Sequence, residues 1–366
     1  MTTLFVSLFI SLSSLLFGEQ DSVELVFAGD AMQHKAQINA AKQADGSYSF
    51  NECFAAIAPY VSEADYAVVN LETPIGGAPY SGYPMFCAPD SYSIALKNAG
   101  FDLMLTANNH ALDRRDKGVK RTLDVLDAQG LDHVGTYRNQ ADREKSLPLI
   151  KNINGFKIAF LNYTYGTNDI KVQSDVVVDY IDKAKIKKDI ANARAAGAEV
   201  LCVCMHWGVE YVLLPNSQQK SLADFLTEEG VDLIIGGHPH VIQPMEMRWS
   251  MAHNKKVFLV YSLGNLISNM TTKNTRGGAL AKVKLTRDAN GKPVVDSASY
   301  RLVFTLKPSG GSKNFRLIPV ENYTSGSLKN HCNLFVNNAE KIFNKHNIDV
   351  PRDTTSIKKK TSLNLF

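Results

Sequence analysis

Short apolar runs that end in polar clusters alternate with amphipathic stretches along most of the chain. Val23–Ala28 reads as a buried strand ending at Gly29-Asp30, Tyr66–Val69 as a second ending at Asn70-Leu71-Glu72, and Phe101–Thr106 as a third ending at Asn108-Asn109-His110. Lys157–Asn162 follows the same pattern. So do Glu199–Met205, Val231–Ile235 and Val257–Tyr261, which run into His206-Trp207-Gly208, Gly236-Gly237-His238-Pro239-His240 and Ser262-Leu263-Gly264-Asn265. Between them, Cys53–Glu63, Gly118–Gln129, Lys183–Ala196 and Gln218–Glu229 have helical periodicity, with Gly130 and Gly197 as natural stops. Strands buried on both faces read as near-continuous apolar runs, and helical connections give parallel crossovers, so the class is α/β. After Gly277 the texture changes. Leu280–Leu285 and Val294–Leu306, separated by Asp288-Ala289-Asn290-Gly291, predict a hairpin that extends a second sheet or caps an edge. From about Pro351 the chain reads as a loose tail.

Length and charge narrow the class without redirecting it. A chain of 366 residues can bury one large core or two smaller ones, and no linker forces a boundary. A net charge of +4 supplies no concentrated basic face, so a nucleic-acid partner is not expected; the run Lys358-Lys359-Lys360 reads as a solvated tail. Five cysteines exclude a complete disulfide framework. Cys202 and Cys204, two apart in a strand, point to one face as small buried residues, whereas a Cys53–Cys87 pair stays open. Leu4–Phe17 is apolar and too short to span a bilayer comfortably, and the chain turns polar at Gly18-Glu19-Gln20-Asp21. This suits a secretory signal or a retained anchor over residues 1–20, although Met1-Thr2-Thr3 lacks the usual positive charge.

Every polar cluster falls at the carboxyl end of a strand, where α/β sheets form ligand sites. Asp30, Glu72, Asn109, His110, His206, His238 and His240 supply carboxylates, an amide and imidazoles, a donor set suited to Mn, Fe or Zn. Each cluster alone has an ordinary reading as a strand exit or a packed histidine. The Gly-His-Pro-His turn does not, and the conjunction of so many clusters at one end of successive strands carries the inference.

The segments Phe27-Ala28-Gly29-Asp30, Val69-Asn70-Leu71-Glu72 and Ala107–Asp113, followed by His206–Tyr211, Gly237–Val241 and Tyr261–Asn265, resemble the successive motifs of the CapA-type capsule and poly-γ-glutamate synthesis family. The resemblance spans about 23 to 269. It implies a four-layer αββα sandwich of the calcineurin-like metallophosphoesterase type over residues 21–310, with a C-terminal extension and tail over 311–366. Related phosphoesterases carry Asp-x-His, Asp, Gly-Asn-His, His and Gly-His-x-His. By that correspondence Asp30, Glu72, Asn109, His206, His238 and His240 are metal ligands and His110 is catalytic. Asn70, Asn108, Trp207, Glu210, Ser262 and Asn265 are expected to face substrate. Met32 stands where the first motif would have histidine, and His34 is two residues further on. One tight divalent ion is therefore expected, with the second site short of a ligand.

The implied function is synthesis or export of an anionic capsule polymer such as poly-γ-glutamate, in the periplasm or cell envelope and alongside membrane-bound synthesis machinery. Two mechanisms fit that role. A metal-dependent hydrolase would cleave a phosphoester or a polymer amide, with His110 as general acid. A non-catalytic assembly factor would grip the polyanion instead, since fold does not fix reaction. The apolar N-terminal run makes a direct prediction. N-terminal sequencing of the native, fractionated protein should find residues before about Gly18 removed or membrane-embedded, and an intact Met1 in the cytosol would overturn this.

Overall fold

A computed structural model describes residues 22–309 and 313–355. The N-terminal apolar run and the residues after Thr355 lie outside them. Strands β1 (Ser22–Ala31), β2 (Tyr66–Leu71), β3 (Leu103–Leu105) and β4 (Asp132–Val134) lie side by side in parallel. The chain then crosses to a second sheet of β5 (Leu149–Ile153), β6 (Phe156–Thr164), β7 (Val200–His206), β8 (Leu233–Gly237), β9 (Met245–Ser250) and β10 (Lys255–Val260). Their spatial order is β9-β10-β8-β7-β6-β5, parallel except at the two edges. The chain finally returns to the first sheet as β11 (Asn265–Ile267), β12 (Gly277–Arg287), β13 (Pro293–Leu306) and β14 (Arg316–Pro319). That sheet then reads β14-β13-β12-β1-β2-β3-β4, with the short β11 also on β1.

The alternation of side chains along each strand builds the layers. Val23, Leu25 and Phe27 of β1 face Ile158 and Phe160 of β6, Cys202 and Cys204 of β7 and Leu233 and Ile235 of β8, forming the core between the sheets. The intervening Val26 and Ala28 face outward onto α1 (Ser91–Asn98) and α2 (Arg115–Ala128), through Tyr92, Ala95, Leu96 and Leu126. On the far side, Leu161, Val203 and Ile234 meet α3 (Lys183–Ala195) and α4 (Ser217–Glu228), through Ile186, Ile190, Leu222 and Leu226. The result is the four-layer αββα sandwich. Cys202 and Cys204 are indeed core residues of one face, their sulfurs 3.9 Å apart.

Several elements depart from the sequence reading. Cys53–Glu63 is two short helices, Asn51–Phe54 and Ala58–Val61, because Pro59 starts a new helix rather than continuing one. Of the two placements expected for the hairpin, it is an edge that it covers: β12 pairs antiparallel with β1 from Ser22 to Ala28, beside the parallel strands of the first sheet. All five cysteines are free and buried, so Cys53 and Cys87 do not pair. A C-terminal helix, α5 (Lys329–His346), was not foreseen. It lays Cys332, Phe335, Ala339 and Phe343 on the inter-sheet core, with Phe343 edge-on to Tyr300 (ring centroids 4.5 Å). Among the described residues no helix is long and apolar enough to cross a membrane.

The expected looseness from Pro351 does not hold for residues 351–355. Tyr300 N donates to Pro351 O (3.0 Å) and Asp353 N to Tyr300 O (2.7 Å), adding a parallel bridge to β13. Arg301, buried with its guanidinium 4.7 Å over the Tyr60 ring, pairs with Asp353 (3.1 Å) and donates to Thr355 O (2.7 Å). Truncation before Pro351 strips a buried charge of its nearest partner. It should lower stability by roughly 3–5 kcal/mol in denaturant unfolding, the usual cost of breaking a buried pair; a negligible loss would show that these contacts contribute nothing.

Candidate functional site

The carboxyl ends of β1 and β8 both lie against the segment that leaves β10, with backbones closer than side chains would allow. A Cβ on Gly29 would lie 1.9 Å from Gly264 O, and one on Gly236 would lie 2.1 Å from Tyr261 O. With no side chain there, Asp30 N donates to Gly264 O (2.9 Å) and Trp207 N to Gly237 O (3.2 Å). Asp30, Glu72, His206, His238 and His240 are thereby buried together. His238 and His240 both hold left-handed backbone, with φ of 97° and 57°. Such conformations are uncommon outside glycine and concentrate at functional sites.

Asn70 organises the acids. Its Nδ2 donates to Asp30 Oδ1 (2.8 Å) and Glu72 Oε2 (3.2 Å), and lies 3.3 Å from His206 Nδ1. Asp30 Oδ2 accepts from His238 N (3.3 Å) and faces His240 Nδ1 at 3.3 Å. Burial raises the Asp30 pKa, but the hydrogen bond and charge of His240, with help from His206 and Asn70, hold it at about 2. Glu72 has no such relief. Burial, and then the neighbouring Asp30, raise its pKa well above the usual carboxylate range. Burial and adjacent imidazoles lower His206 well below its ordinary value and His238 to about 3, so both are neutral and able to ligate.

The spacing of donors fits a divalent cation. Glu72 Oε1 has no hydrogen-bond partner among the described residues, yet His240 Nε2 and His206 Nε2 stand 3.7 and 3.9 Å away. Two ligands each about 2.1 Å from one ion, at a tetrahedral angle, lie roughly 3.4 Å apart. His206 Nε2 is also 2.9 Å from Asn109 Oδ1. His238 Nδ1, likewise buried, has no partner among the described residues. Two groups have ligand atoms all within 4.8 Å of one another: Asp30, Glu72 and His206, and Glu210, His238 and His240.

The remaining residues divide into supports and rim. His110 Nδ1 donates to Asp113 Oδ2 (2.7 Å), which also accepts from Phe86 N (2.6 Å); this fixes the ring and leaves Nε2 available. Asn265 Oδ1 lies 3.0 Å from His240 Nδ1, while its amide donates to Thr275 O (2.9 Å), so it orients an imidazole. Asn108 sits behind Asn70, donating to its Oδ1 (3.1 Å) and to Leu71 O (2.9 Å). Ser262 Oγ accepts from Gly264 N (3.1 Å). Trp207 is turned into the outer core, its Nε1 donating to Tyr261 O (2.8 Å). Asn108, Trp207 and Ser262 therefore build the frame, in contrast to the substrate contact expected of them.

Other participants were missed in the sequence. Asp113 lies inside the third motif, and Asn168 accepts from Asn109 Nδ2 (3.2 Å). Tyr165 packs its ring 4.5 Å from that of His238. It follows the strand Lys157–Asn162, so the rule of polar residues at strand ends would have found it. A groove of about 530 Å³ is lined by Tyr165, Asn168, Lys171 and Tyr180 among others.

Comparison with known proteins agrees with this architecture. Residues 24–270 match the family described as Bacterial capsule synthesis protein PGA_cap. The Capsule biosynthesis protein CapA of Bacillus anthracis is 28% identical over 295 residues, covering 76% of this chain and 67% of the relative. The PGA biosynthesis protein CapA of Bacillus subtilis is 28% identical over 289 residues, 74% of this chain and 70% of the relative. Among solved structures, a Staphylococcus aureus protein assigned as a 5′-nucleotidase, in complex with α-ketoglutarate, superposes with TM-score 0.50 at 14% identity over 86% of this chain. The match spans only 58% of that protein, so the likeness concerns the calcineurin-like fold alone.

The close approach at Gly29 yields a test of the frame. Gly29→Ala should lower stability by about 1–3 kcal/mol or more through overpacking, visible as a reduced denaturant midpoint. A variant as stable as the natural protein would show that the strand exits can separate.

Proposed function

The chain belongs to the bacterial capsule synthesis protein family, and we propose that it acts outside the cytoplasm in building or exporting an anionic capsule polymer of the poly-γ-glutamate type, by metal-dependent hydrolysis. One observation carries the hydrolytic part: Glu72 Oε1 and His238 Nδ1 are buried with no hydrogen-bond partner among the described residues, within a set of carboxylates and neutral imidazoles. Apolar burial of such atoms is costly unless something coordinates them. The donor set of imidazole, carboxylate and amide oxygen suits Mn, Zn or Fe.

When bound, a divalent ion would polarise the scissile group and lower the pKa of water toward roughly 7. The chain's own residues supply the rest. Asn70 keeps Asp30 and Glu72 in register, and Asn265 sets the His240 ring, as outer partners of metal ligands commonly do. His110, held through Nδ1 by Asp113, would present Nε2 to give a proton to the leaving group. Tyr165 packs against His238, and the groove of about 530 Å³ that it also lines offers room for a stretch of polymer chain. Family membership and the relatives' capsule roles support the polymer as the substrate class. The N-terminal apolar run supports an envelope location.

Purified protein should hydrolyse a chromogenic phosphodiester or a γ-glutamyl polymer and lose that turnover on chelation. His110→Ala should lower kcat by about 10²–10⁴-fold with metal content unchanged, the range for a general acid. Binding of polyglutamate by metal-free protein, without turnover under any metal, would favour the assembly factor and overturn the hydrolase.

A further inference from the structure

The first phosphoesterase motif is incomplete here, and the residues around it show why no neighbour completes it. Met32 is buried, and a thioether is a soft, weak partner for Mn or Zn. His34 does not take its place. Its Nδ1 accepts from Asn269 N (3.3 Å) and lies 3.2 Å from Gln37 Oε1, so the ring serves the start of the short helix Lys35–Ala41. The motif that carries Asp30 therefore brings no imidazole of its own to the site.

Glu210 offers a further carboxylate to the two imidazoles of the turn at His238 and His240. It leaves the loop after β7, and the next residue, Tyr211, donates its N–H to Pro239 O (2.8 Å). Pro239 lies between His238 and His240, so this bond ties the Glu210 backbone to the very turn that carries both imidazoles. Ligand atoms of Glu210, His238 and His240 lie within 4.8 Å of one another. His238 is 3% exposed, and its Nδ1 lacks a hydrogen-bond partner among the described residues. Two imidazoles and one carboxylate form a common three-ligand set for zinc and for iron or manganese, with remaining positions open to water or substrate.

We propose that Glu210 is a metal ligand, which with His238 and His240 forms a second divalent-cation site in place of the one that Met32 leaves incomplete. The assignment rests on the metal-dependent reading above. It changes the expected ion count, since the second position gains a carboxylate where one imidazole is missing. It also places a ligand on a partly exposed loop, so this ion would exchange with solvent more readily than one held by the wholly buried Asp30, Glu72 and His206.

Elemental analysis of the full-length protein decides the matter, after loading with Zn²⁺ or Mn²⁺ and removal of free ion. The natural protein should hold about two equivalents and Glu210→Gln about one, with Glu210→His, which restores a ligand, returning toward two. Gln is nearly isosteric and the position is partly exposed, and an unchanged circular dichroism melt in the metal-free state would confirm that the fold is intact. Equal metal counts in the natural protein and in Glu210→Gln would overturn the role of Glu210 while leaving the metal site standing. A natural protein that retains no ion at all would instead overturn the metal-dependent reading itself.

Discussion

Asp30 and Glu72 put two carboxylates side by side with no exposure to solvent, and one amide nitrogen, Asn70 Nδ2, donates to both. Isolated charges in such a place would cost several kcal/mol each, and two of like sign cannot both remain ionised without compensation. The neighbourhood is shaped accordingly. Imidazoles approach from the second sheet, and the backbone N–H of His238 points at Asp30. Asp30 is held ionised while Glu72 is pushed toward its neutral form, an unequal division typical of paired buried acids. A cation between them would remove the conflict.

That arrangement demands that the two sheets meet at their carboxyl ends, where they otherwise diverge through twist. Glycine supplies the close approach at Gly29 and Gly236, and the left-handed backbone at His238 and His240 aims two side chains inward from positions two apart. The costs of these conformations are local. They are offset by an extensive inter-sheet core, which α5 extends by covering the inner face of β13 with Phe335 and Phe343.

Much of this was legible in the sequence because strands buried on both faces are read as unbroken apolar runs and the chemistry follows each run directly. Asp30, Glu72, Asn109, His206, His238 and His240 were found that way, and the structure brings them together. Roles within the motifs were harder to read. Trp207 and Ser262 follow strand ends as Asp30 and His206 do, but whether a side chain turns into the core or the site depends on strand register, which one sequence does not display. Glu210 lies beyond its strand, and its approach to His238 depends on a tertiary bond from Tyr211 to Pro239. Helix α5 escaped notice because its apolar stripe of Cys332, Phe335, Ala339 and Phe343 is narrow and set among asparagines and charges. Asp353 and Arg352 look like tail residues until the first is seen paired with the buried Arg301 and the second with Glu321 and Glu340.

The return of the chain to the first sheet has a temporal consequence. Strand β1 is synthesised long before its antiparallel neighbour β12, which begins at Gly277, and the pairing joins residues separated by most of the domain. Until that distant segment emerges, β1 presents an unpaired edge of apolar sequence, the kind of surface that templates aggregation. A ribosome delivering this chain therefore cannot complete the first sheet in stages. Closure of the sandwich, and with it assembly of a site drawn from both sheets, waits for β12.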